Sequence, residues 1–119
     1  MDWLFLLLLL FKHAFADLPL QHKLRNIDKL KYFGNGHIHY LHHGILTLLV
    51  SVFFTTPILA IIIALIDYIL HWHIDFCKHL ICKNKIRPVE TNSIVWWYIT
   101  AVDQCLHYSG YVLLVLFFR

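Results

Sequence analysis

Residues 57–81 read PILAIIIALIDYILHWHIDFCKHLI, and this stretch decides the class of fold. It is longer than the roughly 20 apolar residues that a helix needs to cross a bilayer. Asp67, His71 and Asp75 interrupt it at intervals of four residues, and positions four apart share one face of a helix. Because lipid offers no hydrogen bonds to ionisable groups, that face has to turn toward other protein. The stretch therefore predicts a membrane helix whose polar face packs inside a helical bundle.

The composition of the whole chain points the same way. Of its 119 residues, 60% are hydrophobic and 14% are charged, and the mean hydropathy is +0.65. Soluble domains contain roughly 45–50% apolar and about 25% charged residues. The net charge of +3 comes from basic residues dispersed through an apolar chain, which does not favour a nucleic-acid partner. We predict an integral membrane protein whose partner is the lipid bilayer.

Four apolar stretches can be drawn, and each is close to the length of a membrane span. We predict an all-α polytopic membrane protein, a four-transmembrane-helix bundle with a polar His/Asp core, in a single domain (1–119). The second and third stretches are separated by a turn in which Thr56 and Pro57 form a good helix start. The predicted spans cover about 3–20, 39–54, 57–81 and 93–118.

The basic residues predict the orientation. Loops 21–36 and 78–92 lie on the same side of a four-span protein, and together they hold eight of the ten Lys and Arg residues. Basic loops remain on the cytoplasmic side of a membrane. We therefore expect cytoplasmic basic loops and external termini in a bacterial inner membrane. The aromatic run 96–98 then lies at the cytoplasmic interface, where aromatic belts form.

The first apolar stretch has an alternative interpretation as a signal peptide. Ala14 and Ala16 resemble a small-residue cleavage site. However, the residues before the apolar run include an acid and no base, and Lys12 follows the run. A signal peptide has the opposite charge order, so we expect the stretch to be retained as a span.

Ionisable residues inside the spans are the strongest functional signal. The chain holds ten histidines and seven acidic residues, and such groups in a span are costly unless they are paired, solvated or bound to an ion. Three spans each carry one Asp and one His four residues apart, at similar depths beneath the basic side. Imidazole and carboxylate suit zinc and similar divalent transition metals. We therefore predict one or two metal ions, zinc first, on these ligands: His13, Asp17, His71, Asp75, Asp103 and His107.

Other polar residues near this layer are assigned supporting roles. The second span begins with several histidines, and one of His42 and His43 is expected to face the core. Alongside Asp75, we assign His43 and Gln104 as catalytic candidates that orient water or substrate. Lys23 and Lys78 are expected to attract an anionic lipid headgroup.

Structural interpretations remain for several of these residues. A single Asp–His pair in a membrane is often a hydrogen bond between helices. His22, His73 and His79 fit interfacial or solvated positions. The three cysteines show no paired spacing and fit packing positions.

In these segments the sequence resembles a family of small bacterial and phage membrane proteins known as domain of unknown function 3307. The resemblance implies a bacterial or phage origin and a polar core, and it implies no activity. The chain departs from the family at Leu18–Pro19, where the family tends toward an aromatic residue. The matching segments are 13–17 with Gln21 and Lys23, a histidine opening the second span, 71–75 with Lys78, and 103–107.

The sequence leaves several functions open. The first is a metal-dependent hydrolase that acts near the cytoplasmic leaflet on a lipid or lipid-linked ester or phosphate. A second is a non-enzymatic membrane protein whose core is an ion or proton pathway, a structural metal site or a hydrogen-bond network. A bis-His haem protein fits poorly, because carboxylates adjoin the histidines. A homo-oligomer is also an open alternative.

Overall fold

Helices account for all regular secondary structure in the computed structural model, which describes residues 2–23 and 27–118. The prediction of an all-helical protein is confirmed for these residues. A π-helical segment, Ala16–Leu20, joins the first two α-helices. The α-helices are α1 (Trp3–Phe15), α2 (Gln21–Lys23), α3 (His37–Ser51), α4 (Pro57–Cys82) and α5 (Ile94–Phe117).

Side-chain caps begin three of these helices. A polar side chain just before the helix accepts a hydrogen bond from a backbone N–H three residues later, which satisfies a donor that has no partner within the helix. The acceptor is Asp2 for α1, Thr56 for α4 and Ser93 for α5, at 3.0, 3.4 and 3.2 Å. Pro57 occupies the first turn of α4, where a missing N–H costs nothing.

Within residues 2–23 and 27–118, three helical segments are long and apolar enough to cross a membrane: Trp3–Lys23, Pro57–Cys82 and Ile94–Phe117. Helix α3 has 15 residues, and at about 1.5 Å per residue it is shorter than the roughly 30 Å of bilayer hydrocarbon. It ends at Ser51, before the predicted end at residue 54, because the next residues form the turn into α4. Four spans were predicted. Three of the helical segments have the length and hydropathy of a span, and α3 does not.

The helices form a closed ring. Helix α1 packs against α3 and α5, and α4 packs against the same two helices, so α1 and α4 lie on opposite sides. At one end of the ring the core is apolar and includes Phe5, Leu9, Ile63 and Val115. The other end of the interior holds the buried histidines and acids.

The distribution of polarity is inverted relative to a soluble protein. Large apolar side chains face outward, as at Phe53 and Ile58, which are 84% and 73% exposed. Soluble monomers rarely expose apolar surface on this scale. The interior, by contrast, buries two lysines, three aspartates and five histidines among the described residues. This arrangement fits a lipid solvent, in which polar groups find partners only inside the protein.

Candidate metal centre

The first cluster of possible ligands is centred on Asp17. The π-helical segment carries this residue two positions before Pro19, which supplies no backbone N–H. Asp17 Oδ1 lies 2.9 Å from His43 Nε2, 3.4 Å from His39 Nε2 and 3.8 Å from His71 Nε2. The three imidazoles are fully buried. These four residues form a group that can hold a metal ion, which we call the four-residue site.

The second cluster joins α4 to α5. His107 Nε2 lies 3.3 Å from Asp75 Oδ1 and 3.6 Å from Asp103 Oδ1. All three residues are buried, and they form a second group that can hold a metal ion, which we call the three-residue site. Asp103 Oδ1 has no hydrogen-bond partner among the described residues. The site therefore presents one imidazole nitrogen and two carboxylate oxygens to a common point.

His71 and His13 connect the two sites. The ring of His71 stacks between those of His43 and His107, with centroid distances of 3.5 and 4.1 Å. His13 Nε2 lies 3.0 Å from Asp17 Oδ2, and His13 Nδ1 lies 3.0 Å from the Tyr111 hydroxyl, which orients the ring. His13, His71 and His107 form a third group with metal-ligand spacing. The polar core is therefore one continuous cluster.

Several buried ring nitrogens in this cluster lack hydrogen bonds. Both ring nitrogens of His39 and of His71, and Nδ1 of His43, have no hydrogen-bond partner within the described part of the chain. An unsatisfied buried polar atom costs about 1–3 kcal/mol. A divalent metal satisfies imidazole nitrogens and carboxylate oxygens together, so the donor set fits such an ion.

Two lysines neutralise the acids of the three-residue site. Lys29 Nζ lies 2.6 Å from Asp75 Oδ2, and it also donates to Gln21 Oε1 at 3.2 Å. Lys78 Nζ lies 3.2 Å from Asp103 Oδ2. Each lysine contacts Oδ2, so the Oδ1 atoms remain directed toward His107. The ammonium groups thus compensate the carboxylate charge without occupying the common point.

A cleft leads from this site to the loops at the basic end. Its volume is about 480 Å³, within the range of small-molecule sites. The three carboxylates Asp17, Asp75 and Asp103 line its inner part, and exposed loop residues line its outer part. The described histidines of the four-residue site do not line the cleft. The four-residue site therefore reaches the cleft through Asp17, and the three-residue site reaches it through Asp75 and Asp103.

The structure brings together all six residues predicted as metal ligands. It also decides between the two adjacent histidines of α3, because His43 is fully buried and bonded to Asp17, whereas His42 is only partly buried. Gln104 lines the cleft, with Oε1 3.3 Å from His13 Nε2. The sequence left the choice between His42 and His43 open. Adjacent residues on a helix point in directions about 100° apart, so either could face the core.

The structure brings to the cleft one of the two lysines that we expect to attract a headgroup. Lys78 lines the cleft as expected, but Lys23 is exposed on α2 and does not line it. Lys29, which the sequence analysis used only as a topological charge, is 8% exposed and lies in the cleft. Lys29, six residues further along the chain than Lys23, is thus the lysine that reaches Asp75.

The structure also adds residues that the sequence analysis missed. His39 belongs to the four-residue site, and its spacing of four from His43 was the available signal. Asp67, expected on the ligand stripe, is instead bonded at 2.5 Å to both Lys12 Nζ and Thr47 Oγ1. A lysine within an apolar run needs such a partner, which is the signal that could have identified the pair.

Of the histidines that we expected at interfacial or solvated positions, none is fully buried, and one, His79, lines the cleft. His22 is exposed on α2. His73 bonds to the Tyr32 hydroxyl at 2.9 Å, and His79 Nδ1 bonds to the Asp75 backbone carbonyl at 2.8 Å. These contacts belong to the loop and the helix surface.

Comparison of the chain with protein-family models, curated proteins and solved structures gives no match in any of the three. The resemblance to domain of unknown function 3307 therefore stays a prediction, and the functional argument rests on the geometry of the site.

Proposed function

We propose that this protein is a membrane-embedded, metal-dependent hydrolase with two adjacent metal sites. One observation carries the proposal: the four-residue site has four protein ligands, of which Asp17 lines the cleft, whereas the three-residue site has three protein ligands, of which Asp75 and Asp103 line it. Structural zinc sites have four protein ligands, and catalytic sites have three and leave a position for water or substrate. The four-residue site is thus assigned a structural role and the three-residue site a catalytic role.

A divalent metal in the three-residue site would polarise a phosphoryl or acyl oxygen and lower the pKa of water to about 7. The residues of the chain prepare the site for this chemistry. Lys29 and Lys78 hold the outer oxygens of Asp75 and Asp103, which fixes the orientation of both carboxylates. Gln104 donates to Asp103 Oδ2 at 3.1 Å and lines the cleft, so its amide can orient a bound substrate. His43, earlier a catalytic candidate, is better assigned as a ligand because it is enclosed.

The proposed location follows from the same geometry. The cleft lies at the end of the bundle that carries the basic loops, and basic loops favour the cytoplasmic side. In this proposal α3 forms a short fourth span with the turn that follows it, and the termini are external. The cleft is then level with cytoplasmic headgroups, which favours a lipid or lipid-linked ester or phosphate as substrate.

Metal analysis and hydrolysis together test the proposal. Protein purified without chelators should carry about two equivalents of a transition metal, zinc first, by elemental analysis. Asp103→Asn should lose about one equivalent and should abolish phosphate release from phosphatidic acid in micelles, because the catalytic site loses a ligand. His22→Ala is the matched control and should retain both the metal content and the phosphate release of the wild type. A wild-type protein that is metal-free and cannot be reloaded would contradict the proposal.

A proton pathway is the second candidate, and one observation favours it. The Lys12–Asp67–Thr47 chain extends the polar interior beyond the metal cluster, toward the opposite side of the bundle. The apolar core around Leu9 and Ile63 lies beyond it, however, and closes that end. A metal-free protein that carried protons across liposomes would favour this alternative.

A further inference from the structure

A second cavity lies on the outside of the bundle, between α4 and α5. This groove has a volume of about 250 Å³, and its walls include Ile74, Cys77, Val102 and Leu106. Val102 and Leu106 are 59% and 52% exposed, so the groove faces the surroundings of the protein. In a membrane those surroundings are lipid chains.

The groove adjoins the cleft. Lys78 and Asp103, which form an ion pair, line both cavities, so this pair separates an apolar channel on the lipid side from the polar site. A comparable apolar groove of about 230 Å³ lies between α3 and α4 and includes Ile45. Among the described residues, that groove shares no lining residue with the cleft. Of these two grooves, the α4–α5 groove is therefore the one that borders the cleft.

The cleft that the groove borders holds lysines beside its carboxylates. Lys29 and Lys78 are paired with Asp75 and Asp103, whereas Lys83 also lines the cleft and has no ion pair among the described residues. Lysine is a common phosphate ligand, because its ammonium group is a compact point charge. Lys83 is exposed at the end of α4, near the level expected for a headgroup.

We propose that the α4–α5 groove binds a hydrocarbon chain of a phosphate-bearing lipid while the phosphate lies in the cleft among the lysines. The lipid enters sideways from the membrane, past the Lys78–Asp103 pair. Lipid chains are as apolar as the groove, so the groove supplies little driving force by itself. Its role is to align the phosphate with the three-residue site, which is how positioning contributes to catalysis. This inference rests on the proposed function, because it treats the cleft as the substrate site.

Lipid binding by the detergent-purified protein, with metal chelated, tests the inference without hydrolysis. Native mass spectrometry should show more phosphatidic acid than phosphatidylcholine retained. Val102→Trp fills the α4–α5 groove, so a lipid whose phosphate lies in the cleft has to displace the indole to place its chain. Overpacking of this kind costs about 1–3 kcal/mol, so retention of phosphatidic acid should fall by roughly tenfold. Ile45→Trp, in the groove between α3 and α4, is the matched control and should retain the lipid. Equal retention of the two lipids, or equal loss in the two variants, would overturn the inference.

The native cysteines give a second readout in the wild-type protein, which does not depend on a variant folding. Cys77 is exposed in the groove, whereas Cys105 is exposed on α5 and lines neither groove nor cleft. Phosphatidic acid should slow the reaction of Cys77 with N-ethylmaleimide and leave that of Cys105 unchanged; equal rates with and without lipid would overturn the inference. Selective lipid binding without metal or hydrolysis would refute only the proposed function. Metal-dependent hydrolysis without selective protection of Cys77 would refute only the proposal that the α4–α5 groove binds a lipid chain.

Discussion

At the scale of single residues, the main feature is the number of ionisable side chains that the bundle buries in contact with each other. His71 is the central one, because its ring stacks on those of His43 and His107 and it belongs to two of the possible ligand groups. The Lys12–Asp67 pair is separate from these groups and is buried to the same degree. Such a pair is weak evidence for stability by itself, but removing one partner leaves a buried charge without compensation.

Lys12→Met is therefore expected to destabilise the protein by about 3–5 kcal/mol, because Asp67 loses its cationic partner and stays buried beside uncharged groups such as the Thr47 hydroxyl. The double variant Lys12→Met/Asp67→Leu should recover most of that loss, since no isolated charge remains. Denaturant unfolding in detergent measures the free energy of unfolding of the single and the double variant. Lys31→Met, at an exposed lysine, is the control. A double variant no more stable than the single one would show that the pair is not the cause.

At the scale of helices and turns, the π-helical segment decides how the first membrane helix supplies a ligand. Helix α1 does not end at Pro19 but widens over Ala16–Leu20 and continues as α2. Widened turns of this kind are frequent at functional sites. The wider turn contains Asp17, so the direction of its carboxylate depends on the widening.

Pro19→Ala restores a backbone N–H and allows the segment to return to regular α-helix. We expect this variant to lose up to one equivalent of metal from the four-residue site. In a regular α-helix the carboxylate of Asp17 would point in another direction, away from the histidines of that site. Pro57→Ala, in the first turn of α4, is the matched control and should keep full occupancy. Unchanged metal content in Pro19→Ala would mean that the π-helical turn persists without the proline.

At the scale of the whole molecule, polarity is arranged for a membrane and is asymmetric along the bundle. One end holds an apolar core, and the other holds the polar cluster and the cleft. The basic loops adjoin the polar end, so orientation in the membrane determines which leaflet the cleft faces.

Cysteine accessibility in intact bacterial cells tests this orientation. In a variant whose three native cysteines are replaced by serine, a membrane-impermeant maleimide should label Thr55→Cys, in the turn before α4. Asn84→Cys, in the second basic loop, should react only after permeabilisation, because basic loops remain in the cytoplasm. The reverse pattern would invert the topology and assign the cleft to the outer leaflet.

The sequence by itself determined the helical class, the three long apolar helices and the three Asp/His pairs that share helix faces. These features depend on hydropathy and on spacings of four residues, which are local properties of a helix. Only the tertiary structure decided that His43 faces the core, that His39 joins it and that Lys29 contacts Asp75. It also paired Lys12 with Asp67, 55 residues apart, and left α3 too short for a full span. Such choices depend on how helices rotate and pack against each other, because the partner of a buried charge is set by distances in space.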